Sequence, residues 1–259
     1  MTGNRKAGLV LQQRDRHLLK ELDTMRVMDR EQAKRVAGFR STTRANTRLL
    51  ALTRAGLLRR VFVGTIFGGR KALYALSPAA VAHIEARHPA FQLRQDQAIV
   101  RISLLEHQLH INSVYLTVKY RPIPIAGTSL RRWISFHEPL TQAIALIPDG
   151  YLELEQASQI RPMFLEVDLG SEDSRVWEKK AAAYLRLAVS GEFERIFQKP
   201  QFRALVVATT DKRMRNIRAA VAKATEKIFW LTTFDNIHRD GFWSSIWLRS
   251  TGDQKLPLL

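Results

Sequence analysis

The chain has 259 residues, 46% of them apolar, with 41 Lys and Arg against 24 Asp and Glu and no cysteine. That length supports a buried core and two modest domains. The missing cysteines exclude disulfides, a thiolate zinc site and a cysteine nucleophile, and point to a reducing, cytoplasmic compartment. No apolar run of membrane-spanning length occurs, and the N-terminus has too short an apolar run for a signal peptide, so no membrane partner is expected. The net charge of +17 is unevenly spread. Residues 1–95 carry 19 basic and 6 acidic residues, a net of +13, and residues 96–259 carry 22 and 18. A polyanion-binding module joined to a nearly neutral one fits that asymmetry.

Residues 15–25 have helical apolar spacing at Leu18, Leu19 and Leu22, with Asp15 in position to cap them. Asp29 caps a second helix with Ala33, Val36 and Ala37 inward. Ser41 or Thr42 caps a third, to about Arg54, with an apolar stripe of Ala45, Leu49, Leu52 and Ala55, and Gly56 ends it. Residues 57–63 and 71–76 then read as a hairpin around Gly64, Gly68 and Gly69. Three helices followed by a basic hairpin predict a winged helix-turn-helix over residues 1–76 that binds double-stranded DNA. In that motif the last helix reads base edges and the wing lies on the backbone. Thr42, Thr43, Arg44, Asn46, Thr47 and Arg48 supply the readout donors, and Arg59, Arg60, Arg70 and Lys71 the wing cations. A merely solvated charged helix is the competing reading.

Ser77 and Pro78 open a further helix, to Pro89, within a connector over residues 77–95. A long helix follows over 95–120, with Ile99, Ile102, Leu105, Leu109, Ile111, Val114 and Leu116 apolar. His107 and His110 lie on it, spaced to share a metal, but packing is the favoured reading for them. Strands are expected at 131–136, 148–154, 162–169, 202–208 and 228–233, helices at 174–190 and 212–223, and an aromatic edge strand at 239–249. Asp149 stands at the start of one strand. Glu166 and Asp168, two apart on the next, share a face. Two carboxylates on a buried strand demand a cation. A metal ion would answer them, and so would ion pairs with Arg175, Lys179 and Lys180.

The element order from residue 96, with PDG (148–150) and EVD (166–168), resembles the restriction-endonuclease-like PD-(D/E)XK superfamily. More closely, the chain resembles the replication-relaxation family of plasmid and mobile-element proteins, related to MOBC-type mobilisation relaxases. The carriers are the N-terminal helices and hairpin, HQLHINSVYL (107–116), IPDGYLEL (147–154), LEVDLGSED (165–173) with KKAAAYL (179–185), and FRALVVATTD (202–211). The resemblance implies a nuclease-like α/β domain with a central mixed sheet over residues 96–259. It also implies Mg²⁺ or Mn²⁺ held by Asp149, Glu166 and Asp168. Position 168 is Asp where the superfamily has Lys, and Lys180 is the expected substitute, with Lys179 facing solvent. Tyr184 would position a phosphate or pack, and a tyrosine nucleophile at Tyr184 or Tyr151 lacks a flanking histidine triad. Glu138 reads as a cap or surface residue. Two functions stay open: a metal-dependent nickase acting in replication, relaxation or mobilisation, and a non-catalytic regulator whose second domain is a scaffold. A homodimer and other replication or mobilisation proteins are the further partners considered, and RNA binding is the weakest alternative.

Overall fold

A computed structural model describes residues 9–64, 68–84, 86 and 98–259. The chain divides into two compact units, 1–116 and 117–259. The long helix, expected to open the second domain at residue 96, groups with the N-terminal unit as far as Leu116.

In the first unit, α1 (Gln13–Met25) is followed by β1 (Met28–Asp29), α2 (Arg30–Ala37), α3 (Thr42–Arg54), β2 (Leu58–Gly64), β3 (Arg70–Leu76), α4 (Pro78–His83) and α5 (Ala98–Tyr120). The strands form an antiparallel sheet in the order β1-β3-β2. The two-residue β1 was not foreseen, because so short a run carries no alternation. The starts of α1 to α4 have a chemical cause. The side chains of Asp29, Ser41 and Ser77 accept from the backbone N–H of the third residue of α2, α3 and α4. The expected Asp15 cap is corrected: Gln12 caps α1, and Asp15 is its third residue, accepting from the Gln12 N–H at 2.7 Å in a capping box. Ala55 is exposed rather than part of the inward stripe, since the helix has already ended there and Gly56 takes φ +75°. Leu18, Leu19, Leu22, Ala45, Leu49 and Leu52 are essentially inaccessible to solvent.

Helix α5 seats on this unit through Leu105 and Leu109, against Val27 and the hairpin residues Val61, Val63 and Leu73. The buried Asn112 amide donates to the carbonyls of Met25 and Val27, and the Tyr115 hydroxyl donates to Glu21 at 2.7 Å. The hairpin residues 65–67, the end of the connector helix, residues 95–97 and the side chains of Ile99 and Ile102 lie outside the described residues.

The second unit holds a six-stranded mixed sheet in the order β4-β5-β6-β7-β8-β9. Its strands are β4 (Thr128–Ile134), β5 (Gly150–Gln156), β6 (Gln159–Asp168), β7 (Arg203–Ala208), β8 (Phe229–Thr233) and β9 (Leu248–Arg249). The first three form an antiparallel meander, β6, β7 and β8 run parallel, and β9 is antiparallel. The parallel pairs are joined by α6 (Ser174–Val189) with α7 (Glu192–Phe197), and by α8 (Asp211–Ala222). One sheet face carries Tyr151, Phe164, Ala204, Val206, Phe229 and Leu231, packed against Trp177, Ala181, Tyr184, Ile217 and Val221 of α6 and α8. Phe164 is the hub, with Phe202 edge-on at 5.0 Å and Tyr151 at 5.1 Å between centroids.

Two helices were missed and one strand overestimated. In α7, Phe193 and Phe197 at i and i+4 both enter this core. At 239–249 the expected strand is corrected. Thr233 caps α9 (Phe234–Asp240), and only Leu248 and Arg249 pair with β8. Between them Phe242 stacks edge-on against Trp247, whose indole N–H donates to the Phe242 carbonyl at 2.9 Å. Those aromatics are buried by a closed turn, so their spacing imitated a strand. No helix among the described residues is long and apolar enough to cross a membrane.

Candidate functional site

Three carboxylates meet the second sheet at one end of β5 and β6, each held differently. Asp149 immediately precedes β5, and its Oδ2 accepts from the Val167 N–H of β6 at 2.7 Å. The next residue must be small: a Cβ on Gly150 would stand 3.0 Å from the Trp133 ring. Glu166 and Asp168 face the helical layer, as their spacing of two predicts.

Glu166 is fully buried. Its Oε2 accepts from Lys180 Nζ at 3.0 Å and its Oε1 from the Tyr184 hydroxyl at 2.6 Å. Lys180 and Tyr184, four apart on α6, therefore reach one carboxylate from successive turns. Burial raises the Glu166 carboxyl to about 7; the Lys180 charge and the Tyr184 hydroxyl oppose that rise, and the nearby charge of Asp149 adds to it. Lys180 loses solvation by burial, yet Glu166, Glu172 and Asp149 hold it as a firm ammonium. It also pairs with Glu172 Oε1 at 3.0 Å and stands 5.0 Å from the Trp177 ring centroid. Lys179 is exposed. Burial raises the phenols of Tyr184 and Tyr151 further above their usual range, with Glu166 and Glu153 as hydrogen-bond acceptors adding to the shift. Both tyrosines are thus set up as proton donors in hydrogen bonds, not as phenolate nucleophiles. Glu138 is exposed in the loop after β4, and the His110 imidazole bonds the Glu106 carbonyl of its own helix.

Asp168 has a different set of partners. Arg213 clamps both its oxygens, Nε to Oδ1 at 2.6 Å and Nη2 to Oδ2 at 2.7 Å. The Trp177 indole N–H donates to Oδ2 at 3.0 Å and the Gly170 N–H to Oδ1 at 2.9 Å. Burial pushes the carboxyl up, but these donors outweigh it and leave it below its ordinary value. Arg213 also reaches the Glu172 carbonyl. Arg213, Glu172 and Trp177 were missed as site residues. Arg213 had a legible signal: it lies in the first turn of the helix after β7, which a right-handed crossover brings beside the end of parallel β6. Among the described residues no group of three or more His, Cys, Asp or Glu side chains is arranged to hold a metal ion. Asp149 and Glu166 form an acidic pair beside a lysine, while Asp168 belongs to an arginine.

The N-terminal candidates also separate. Thr43, Arg44, Asn46 and Thr47 line the exposed side of α3. Thr42 Oγ1 accepts from Lys34 Nζ at 3.2 Å. Arg48 turns inward: its guanidinium binds the fully buried Asp15 carboxylate and the Val10 carbonyl. On the hairpin Arg59, Arg60 and Arg70 are exposed, with Arg60 5.0 Å over the Phe62 ring, whereas Lys71 is ion-paired with Asp29 at 2.5 Å.

The family model for replication-relaxation proteins matches residues 19–199, and the chain belongs to that family. No curated protein and no solved structure matches it.

Proposed function

We propose that this member of the replication-relaxation family binds duplex DNA through α3 and the β2–β3 hairpin, in the replication or relaxation of a plasmid or mobile element. The carrying observation is the exposed face of α3. There Thr43, Arg44, Asn46 and Thr47 expose hydroxyl, guanidinium and amide donors together, and the hairpin that follows exposes Arg59, Arg60 and Arg70. The order of α1, α2, α3 and hairpin, with β1 completing a small antiparallel sheet, supports a winged helix-turn-helix reading. Arg48, bonded to Asp15, supports the position of α3 rather than reading bases. Binding by this surface should weaken linearly with the logarithm of salt, by about 0.9 log units per phosphate neutralised.

For the second unit, the meander β4-β5-β6 joined through α6 to parallel β7 supports a nuclease-like reading, with Asp149, Glu166 and Lys180 at the strand ends. Asp149 and Glu166 would take Mg²⁺ or Mn²⁺, with water and substrate phosphate completing the coordination, only where Glu166 exchanges its bonds to Lys180 and Tyr184 for the ion. Asp168 does not fit as a third ligand, because both of its oxygens are held by Arg213. A bound ion would supply charge neutralisation at the scissile phosphate and an activated water. The protein's own part is to hold the Lys180 ammonium against Glu166, to fix Glu166 through the Tyr184 hydroxyl, and to anchor Asp149 on the Val167 N–H. The closure of Asp168 by Arg213 favours the alternative in which this domain is a non-catalytic scaffold.

Two assays separate these readings. Gel-shift titrations on origin DNA of the parent replicon should lose specific binding in Arg44→Ala by about 1–3 kcal/mol; unchanged affinity removes α3 from the interface. Nicking of supercoiled DNA with Mn²⁺ should require Glu166. Equal activity in Glu166→Ala, or none in the wild type, leaves the scaffold reading standing.

A further inference from the structure

The far end of the second sheet carries a cavity that neither the DNA-binding surface nor the acidic pair uses. Its volume is about 290 Å³, the low end of small-ligand pockets, which run from roughly 300 to 1,000 Å³. Five cations line it, Arg161, Lys199, Arg203, Lys227 and Arg249, and no carboxylate does. The register explains the convergence. Met163 pairs with Arg203, Leu205 with Trp230, and Trp230 with Arg249. Alternation then sends Arg161, Arg203, Trp230 and Arg249 to one face, near the N-terminal ends of the parallel strands. Arg161 and Glu166, five apart on β6, project to opposite faces, so the sheet separates this cavity from the acidic pair.

Among the described residues these cations have no carboxylate partner. The Arg203 and Arg249 guanidiniums stand 4.4 and 5.3 Å from the Trp230 ring centroid. Arg203 otherwise donates to the Leu258 carbonyl, and Arg249 makes long contacts of 3.4 Å to the carbonyls of Glu226 and Lys227. The Nε atoms of Arg161 and Arg249 are buried and have no hydrogen-bond partner. Burial lowers the Arg203 guanidinium from its usual range, and the like charges of Arg161 and Arg249 add to the effect. A buried donor left unpaired costs on the order of 1–3 kcal/mol, more when charged. Three arginines held together against that cost, with no carboxylate among them, are what a multiply charged anion would answer, and guanidinium forks match phosphate oxygens. Ile160, Pro162 and Pro200 give the rest of the lining an apolar part beside the amides of Gln159 and Gln201, a mixture that suits the non-phosphate part of a nucleotide.

We infer that this cavity is a binding site for the phosphate groups of a nucleotide, either free or at the end of a DNA strand, with Arg161, Arg203 and Arg249 as the phosphate donors. The site stands independently of the reading of α3 and of the acidic pair. The test is calorimetric titration of the full chain with pyrophosphate, dATP, and single-stranded hexanucleotides with and without a 5′-phosphate. Saturable binding is expected, weakened about tenfold or more in Arg161→Gln, as for loss of one charge-assisted bond. Lys227→Gln, on an exposed side chain, should weaken it several-fold with no change in the fold seen by circular dichroism. Arg44→Ala should leave it unchanged. Preference for dATP assigns the site to a free nucleotide, and preference for the 5′-phosphorylated strand assigns it to a DNA end. Absence of saturable binding for every probe, or equal affinity in both cavity variants, overturns the inference.

Discussion

The two ends of β6 carry opposite charge in opposite states. At the C-terminal end, the oxygens of Glu166 and Asp168 are met by Lys180, Tyr184, Arg213, Trp177 and the Gly170 amide. Toward the N-terminal end, and on the other face, Arg161, Arg203 and Arg249 crowd one cavity with no carboxylate in its lining. The same strand therefore hosts a closed network and an open one. A closed network is evidence first of all for architecture, and removing one partner damages it. An open cluster of like charge opposes folding, so a ligand is the more economical reason for its presence.

The sharpest way to break the contrast is Arg213→Ala, which leaves Asp168 buried with neutral donors only. Loss of one partner of a buried pair should destabilise the fold by about 3–5 kcal/mol, read from urea unfolding at pH 7. A loss below about 1 kcal/mol would mean that Asp168 does not depend on its clamp.

Glu166 gives the next effect, visible as a pH dependence. Its folded value of about 7 lies above its ordinary 4.5, so the folded state holds the proton more tightly. Its favourable contribution is complete below pH 4.5 and is lost as pH rises through 7, by roughly 3 kcal/mol in all. In metal-free buffer the wild type should lose that stability between pH 4.5 and 8, and Glu166→Gln, which cannot titrate, should not. Parallel curves for the two proteins would place the proton elsewhere.

In the first unit, Arg48→Ala should cost about 1–3 kcal/mol of stability by stranding the buried Asp15, while Arg44→Ala should change stability by less than 0.5 kcal/mol. Thermal melts of both variants, set beside their DNA affinities, divide α3 into a supporting arginine and a reading one. The smallest effect has the opposite sign. Arg161→Gln removes one like charge from the open cavity and should leave stability unchanged or raise it by up to about 1 kcal/mol in ligand-free protein. A clear loss would show that Arg161 holds the sheet together instead of waiting for an anion.

Much of this could be seen in the residues before any coordinates. Asp29, Ser41 and Ser77 announced their helices because a cap is a local interaction. Glu166 and Asp168 could be put on one strand face, and Lys180 and Tyr184 on one helix face, because i, i+2 and i, i+4 spacings are fixed by geometry, whereas the bond from Tyr184 to Glu166 needed the packing of α6 on the sheet. The bond of Arg48 to Asp15 could not be seen, because readout donors and buried ion-pair donors are the same chemical group and Asp15 lies 33 residues away. The basic cavity was invisible for a related reason. Its arginines are separated by 42 and 46 residues, and they meet only through the register of β6, β7, β8 and β9. At 239–249, side-chain alternation stood in for a strand because burial in a turn and burial in a sheet leave the same apolar pattern.

The parity of β6 also bears on how the family can vary in length. Arg161 and Glu166 need opposite faces, so a single-residue insertion or deletion between them would carry one of the two charges through the sheet to the wrong side. The turn of Ala157 and Ser158, both at positive φ and both exposed, lies before that segment and joins β5 to β6. Length changes among related chains should therefore collect in that turn, and the five-residue interval from Arg161 to Glu166 should behave as a fixed ruler.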